Sequence, residues 1–209
     1  CEERSIDVRF VGPAFRRLAR AHDKAAFSVD AGHAGLAPPK TFHLRKKSDL
    51  DKVRQNASEL VFKPAFSRFA SDVQIKPNAA EFERIAPTEA APWVAQEFIR
   101  GEELCSYAIA ENGLVKALAA YRPMHRAGVG DGTYFEPIKD AAIVADVSAY
   151  VSATRWHGQI SFDFRRDSVG RPRVLECNPR TTSGAFFFGR DSSLGSMLVD
   201  DASQAEGPD

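Results

Sequence analysis

A surplus of charge of either sign is missing from this chain: 28 lysines and arginines stand against 28 aspartates and glutamates in 209 residues. With no basic excess, nothing favours a polyanion, so no nucleic-acid partner is expected. Long apolar runs are lacking too. None approaches the roughly 18 residues of a membrane-spanning helix and no signal peptide opens the sequence, so no membrane partner is expected. The three cysteines are scattered, which excludes a disulfide framework and the paired spacing of a zinc site. No Ser–His or Cys–His nucleophile arrangement is recognisable. These absences leave a globular, cytoplasmic protein with one sizeable core or two small ones, and a homodimer stays open.

The chain opens on Cys1 rather than a start methionine, and "CEERSIDVRF" carries no helix or turn signal. It therefore reads as a fragment without its upstream part. The polar tail "DDASQAEGPD" is expected to fray.

Between these ends, apolar spacing at Phe15, Leu18, Ala19, Ala26 and Phe27 predicts a helical region closed by Gly32 and Gly35. "PPKTFHL" reads as a short strand. "SDLDKVRQNASE" reads as a surface helix with Ser48 as its N-cap. "LVFKPAF", "DVQIKP" and "WVAQEFI" read as strands, with a helix from near Asn78 before the last of them. Asn112-Gly113 predicts a type I′ hairpin between two alternating runs. "MHRAGVGDGTYFE" reads as a flexible connection, and "AAIVADVSAYVSATRW" as a helix. Paired strands with interspersed helices, and no strict β-α-β alternation, predict an α+β fold with mainly antiparallel sheets.

The chemistry concentrates in "GQISFDFRRDSVGRPRVLECNPR", a second hairpin. Centring its turn on Val169–Gly170 sets Asp163 opposite Glu176, Phe162 opposite Cys177 and Phe164 opposite Leu175. One face is then apolar. The other carries two carboxylates across a strand pair, with Asn178 beside them and Arg180 next in the alternation. Like charges directly opposite destabilise a sheet, so a counter-charge is required. An oxygen-only set suits Mg²⁺ or Mn²⁺. Neutralisation by Arg165, Arg173 or Arg180 in a salt-bridge cluster is the competing reading, and the spacing leaves both open.

This hairpin resembles the metal-binding hairpin of the ATP-grasp superfamily, with an acid on one strand and Glu-x-Asn-x-Arg on the next. Other pieces follow in the family's order. "HDKAAF" with "AGLAPPKTFHL" resembles its entry segment, "LVFKP" its phosphate-lysine strand, and "VAQEFIRGEEL" its adenine hinge and ribose acid. The resemblance covers about residues 13 to 190. It implies two α+β subdomains gripping ATP: residues 1–40 as the end of a preceding domain and entry helices, 41–97 as a small lid, and 98–209 as the core with the metal site.

The resemblance also implies roles. Lys24 and Lys63 would hold phosphates, and Gln96 with the backbone at Glu97 and Ile99 would meet the adenine. Glu103, favoured over Glu102, would take the ribose. Asp163, Glu176 and Asn178 would hold Mg²⁺ (or Mn²⁺), and Arg180 would meet the transferring phosphoryl group. Lys24, taken alone, reads more readily as a solvated helix residue. The family's phosphate loop is glycine-rich, whereas "AFSRFASD" has no glycine; Arg68 is the candidate side-chain clamp there. The implied activity is that of a carboxylate–amine ligase, carbamoyl-phosphate-synthase-like in its hairpin. It would act on a small carboxylate and an amine (or thiol) through an acyl phosphate. A non-catalytic ATP-binding regulatory or partner-binding module is the alternative.

Overall fold

The computed structural model describes residues 11–67, 72–127 and 131–189. Among these described residues, nine strands form two antiparallel sheets. The smaller has the order β1-β4-β2-β3, from β1 (Thr41–Leu44), β2 (Leu60–Pro64), β3 (Gln74–Ile75) and β4 (Trp93–Glu97). The larger has the order β7-β6-β5-β8-β9. Its members are β5 (Glu103–Glu111), β6 (Leu114–Ala127), β7 (Asp131–Ile138), β8 (Gly158–Arg166) and β9 (Pro172–Asn178). The fold is α+β. Among the described residues, no helix is long and apolar enough to cross a membrane.

Period-two alternation gives the larger sheet two unlike faces. Leu104, Ala108, Ile160, Phe162, Phe164 and Val174 form its back, buried under α2 (Lys24–His33) and α4 (Ala141–Thr154). There Phe27, Tyr150 and Phe162 interlock with ring centroids 5.2–5.9 Å apart. Truncating Phe162 to alanine would cost about 3–5 kcal/mol. The smaller sheet turns Phe62 and Ala95 into a second core with Leu44, Leu50, Val53 and Phe82. Its other face, with Val61, Lys63 and Gln96, looks toward the front of the larger sheet.

Several local expectations are corrected. The first helical region is two helices, α1 (Phe15–His22) and α2, broken at Asp23, whose carboxylate accepts the amides of Ala25 and Ala26. "SDLDKVRQNASE" forms two 3-10 helices, Lys47–Lys52 and Arg54–Glu59, in place of one α-helix. Asp49, not Ser48, caps the first by accepting the amides of Arg45 and Lys46. The segment after the first hairpin is not simply a connection, because β6 runs on to Ala127 and Asp131–Ile138 returns as β7. The expected α3 (Ala79–Arg84) starts from Asn78, whose side chain accepts the amide of Glu81. The type I′ turn is also present, with φ of 47° at Asn112 and 92° at Gly113.

Candidate functional site

The second hairpin pairs as its acids require. Asp163 faces Glu176, Phe162 faces Cys177 and Ser161 faces Asn178. The expected Phe164–Leu175 pair does not form: a bulge shifts the register and Phe164 meets Val174. Leu175 is the extra residue. It joins the cleft lining, and its carbonyl accepts a hydrogen bond from Gln96 Nε2 at 3.4 Å. The turn spans Asp167 to Arg171, with the Asp167 carboxylate accepting the amides of Val169 and Arg171.

The carboxylates form the floor of a cavity of about 720 Å³ between the two sheets. Glu176 meets two cations from the opposite wall, Lys63 Nζ at 3.3 Å and Lys24 Nζ at 3.6 Å. Both lysines are buried, at 7% and 3% exposure, so the solvated reading of Lys24 is overturned. Lys24 also donates to Ser67, at 3.1 Å to the hydroxyl and 3.3 Å to the carbonyl. Burial pushes its ammonium pKa down, a trend that Lys63 adds to and Glu176 opposes. Burial likewise pushes Glu176 up, but the Lys63 and Lys24 charges more than offset this and hold it below the usual carboxylate range.

Asp163 sits differently. Burial, and then the Glu176 charge, push its carboxyl up, against hydrogen bonds from the Cys105 thiol and from Asn178 Nδ2 at 2.8 Å. The arginines of the competing reading point elsewhere. Arg165 pairs with Glu103 at 3.2 Å, and Arg173 reaches the carbonyls of Ala37 and Pro38. Arg180 donates to Thr181 O at 3.1 Å and Asn178 Oδ1 at 3.3 Å, while its buried Nε has no partner among the described residues.

The remaining candidates are spread along the same cavity. Gln96 is buried and donates to Thr41 Oγ1 at 3.1 Å. Glu97 is exposed, and its backbone amide is already used by Lys40 O at 2.9 Å. Ile99 and Glu103 line the wall, the latter as the Arg165 partner. Glu102 turns to Arg122 and Arg166. Arg68 lies outside the described residues. Sequence reasoning missed Cys105, which the register places between Asp163 and Tyr121, and it missed the lining by Tyr121, Phe135 and Thr182.

Whether the residues present suit a divalent cation follows from the donor set. Among the described residues, no three His, Cys, Asp or Glu side chains group together as a closed metal cage. Two carboxylates and one amide oxygen make an incomplete, oxygen-only set. Mg²⁺ suits that: it is held by one or two carboxylates together with waters and substrate phosphates. The set fits a hard ion shared with a polyphosphate.

No protein-family model matches the chain, and no curated protein does. Solved structures do. An L-amino acid ligase from Bacillus licheniformis superposes with a TM-score of 0.64 at 21% identity, over 83% of this chain and 44% of that one. An ATP-grasp ligase, PsnB, complexed with a minimal precursor, Mg and ADP, gives 0.60 at 20% identity, over 83% and 54%. A D-alanine–D-alanine ligase from Bacillus anthracis complexed with ATP gives 0.60 at 21%, over 82% and 59%. The chain thus spans about half the length of these structures. Two antiparallel sheets with a cleft between them, superposable on these enzymes, are the ATP-grasp fold, and this chain has it.

Proposed function

We propose that the chain is the nucleotide- and metal-holding part of an ATP-dependent ligase that activates a carboxylate as an acyl phosphate for attack by an amine (or thiol). The observation that carries this is the Asp163–Glu176 pair on the cavity floor, facing Lys63 and Lys24. Phosphoryl transfer needs positioning and charge neutralisation, which buried lysines beside a carboxylate pair can supply. In this reading Lys24 and Lys63 hold the phosphates, with Arg68 as a further clamp. Gln96, Glu97 and Ile99 meet the adenine through the Glu97 carbonyl and the Ile99 backbone, since the Glu97 amide is taken. Glu103 meets the ribose by releasing Arg165. Asp163, Glu176 and Asn178 would hold Mg²⁺ (or Mn²⁺), which neutralises phosphate charge when bound.

The substrate carboxylate oxygen attacks the γ-phosphorus and the bond to the β-phosphate oxygen breaks, releasing ADP. The amine nitrogen then attacks the acyl carbon, loses a proton and expels phosphate. In this reading Arg180 holds the phosphoryl oxygens through both steps, with guanidinium N–H groups beyond the two given to Thr181 O and Asn178 Oδ1. In the same reading residues 41–97 act as the lid and 98–209 as the core.

Calorimetric titration of the chain with Mg-ATP tests the reading. Saturable binding that weakens about tenfold or more in Lys63→Ala supports it. An unchanged affinity removes Lys63 from the site, and no binding removes the proposal. Carboxylate-dependent ADP release in the presence of hydroxylamine separates the ligase from a non-catalytic ATP-binding module.

A further inference from the structure

The cavity floor changes character midway across the sheet. Register neighbours form one row, Pro137, Tyr121, Cys105, Asp163 and Glu176, on β7, β6, β5, β8 and β9. The β8–β9 half is ionic. The β6–β7 half is lined by Tyr121, Pro123 and Phe135, and Tyr121 and Phe135 meet edge to face at 5.5 Å. The polar groups of this half satisfy one another: Tyr121 Oη lies 3.0 Å from Thr182 Oγ1, which lies 2.9 Å from Ser161 Oγ. Burial pushes the Tyr121 phenol up, so it stays neutral.

The end of this shelf is fixed. The 3-10 segment Ser183–Phe187 packs so closely that a Cβ on Gly184 would stand 2.4 Å from Tyr107 Cβ and 2.7 Å from Tyr121 Cε1. Phe187 closes against Tyr121 at 5.4 Å between centroids. Arg180 lies along the same cavity, with its unpartnered Nε.

Resting on the ligase reading above, we propose that the carboxylate substrate carries an apolar group of roughly aromatic size, lying over the Tyr121–Pro123–Phe135 shelf with its carboxylate turned toward Arg180. In that reading the phosphates lie at Lys24, Lys63 and the carboxylate pair and the ribose at Glu103 on β5, so the remainder of a carboxylate reacting beside Asp163 and Glu176 extends over Tyr121, Pro123 and Phe135 on β6 and β7. A charged group there would lose its water against aromatic rings with no ion-pair partner among the shelf residues, whereas an apolar group gains by burial.

The test is calorimetry of the whole chain with 3-phenylpropanoate and with glutarate, each with and without Mg-ADP. The first should bind about tenfold or more tightly than the second. Phe135→Asp should abolish that preference, and Phe135→Leu should keep it. Glutarate binding as tightly, no binding of 3-phenylpropanoate, or an unchanged preference in Phe135→Asp overturns the proposal. Should Phe135→Asp fail to fold by circular dichroism, the wild-type contrast and Phe135→Leu still decide. Mg-ATP titration of the same samples keeps the two failures apart: lost nucleotide binding with an intact acid preference sinks the ligase reading alone.

Discussion

Lys63 on the smaller sheet and Glu176 on the larger meet across the cleft at 3.3 Å, Nζ to Oε2. Lys24, from the start of α2, approaches the same carboxylate oxygen at 3.6 Å. One carboxylate therefore pairs with two buried ammonium groups and ties three elements to one point. The same atoms are the proposed phosphate and metal ligands, so this contact serves both the fold and the site.

That arrangement makes Glu176→Gln costly. It leaves two buried cations without their carboxylate, and breaking a buried ion pair from one side costs about 3 kcal/mol or more. Urea denaturation should show a lower midpoint with an unchanged slope. Lys24→Met should behave oppositely. It removes a charge that burial already disfavours, while Glu176 keeps Lys63. Stability within about 1 kcal/mol of wild type is expected, with weakened Mg-ATP binding. If Glu176→Gln were as stable as wild type, the lysines would have other counter-charges.

The sequence carried the α+β class, both hairpins and the facing of Asp163 and Glu176; that facing held because two departures cancel, the pairs next to the turn centring it on Val169 and the Leu175 bulge restoring the register at the acids. What it hid were bulges. Lys116 is an extra residue in β6, so the register counted from Asn112–Gly113 slips by one beyond it and Cys105 faces Tyr121. Leu175 does the same in β9. A bulge depends on how both strands twist against their neighbours and leaves no mark in either strand alone. The β7 strand was hidden by Gly132 and the glycine-rich sequence before it. Lys24 was misjudged because helical spacing gives a residue's face, not what covers it.

Asp140 offers a pH test away from the cleft. It caps α4 by accepting the amides of Ala142 and Ile143, and it pairs with Arg166. Burial pushes its carboxyl up, but the Arg166 and amide hydrogen bonds win and hold it below its ordinary 3.8. The folded state therefore binds the proton less readily than the unfolded one. Its contribution is complete above the ordinary value and is lost as pH falls below it. Asp140→Ala should cost about 2 kcal/mol at neutral pH, from cap and pair together. The gap to wild type should shrink on acidification below about pH 4. A gap independent of pH would detach Asp140 from Arg166.

Gly184→Ala should push the 3-10 segment off the sheet, since Tyr107 Cβ is part of β5 and cannot rotate away. Overpacking of this kind costs about 1–3 kcal/mol. Because Thr182 holds Tyr121 and Ser161, the displacement also loosens the loop carrying Arg180. Thermal denaturation should show a lower Tm, and 3-phenylpropanoate binding should weaken. An unchanged Tm would mean the segment moves without cost.

The two acids of the hairpin should separate under mutation. Asp163→Asn removes a buried charge that Glu176 repels, and the new amide oxygen can still accept from Asn178 and Cys105. The chain should keep its stability within about 1 kcal/mol, in contrast with Glu176→Gln. Wild type should gain more Tm from ATP with Mg²⁺ than from ATP with EDTA, because a shared ion adds binding free energy to the folded state alone. In Asp163→Asn the two shifts should become equal. A variant that keeps the magnesium-dependent part of the shift would show that the ion is held elsewhere, and the assignment of the hairpin as its seat would fall.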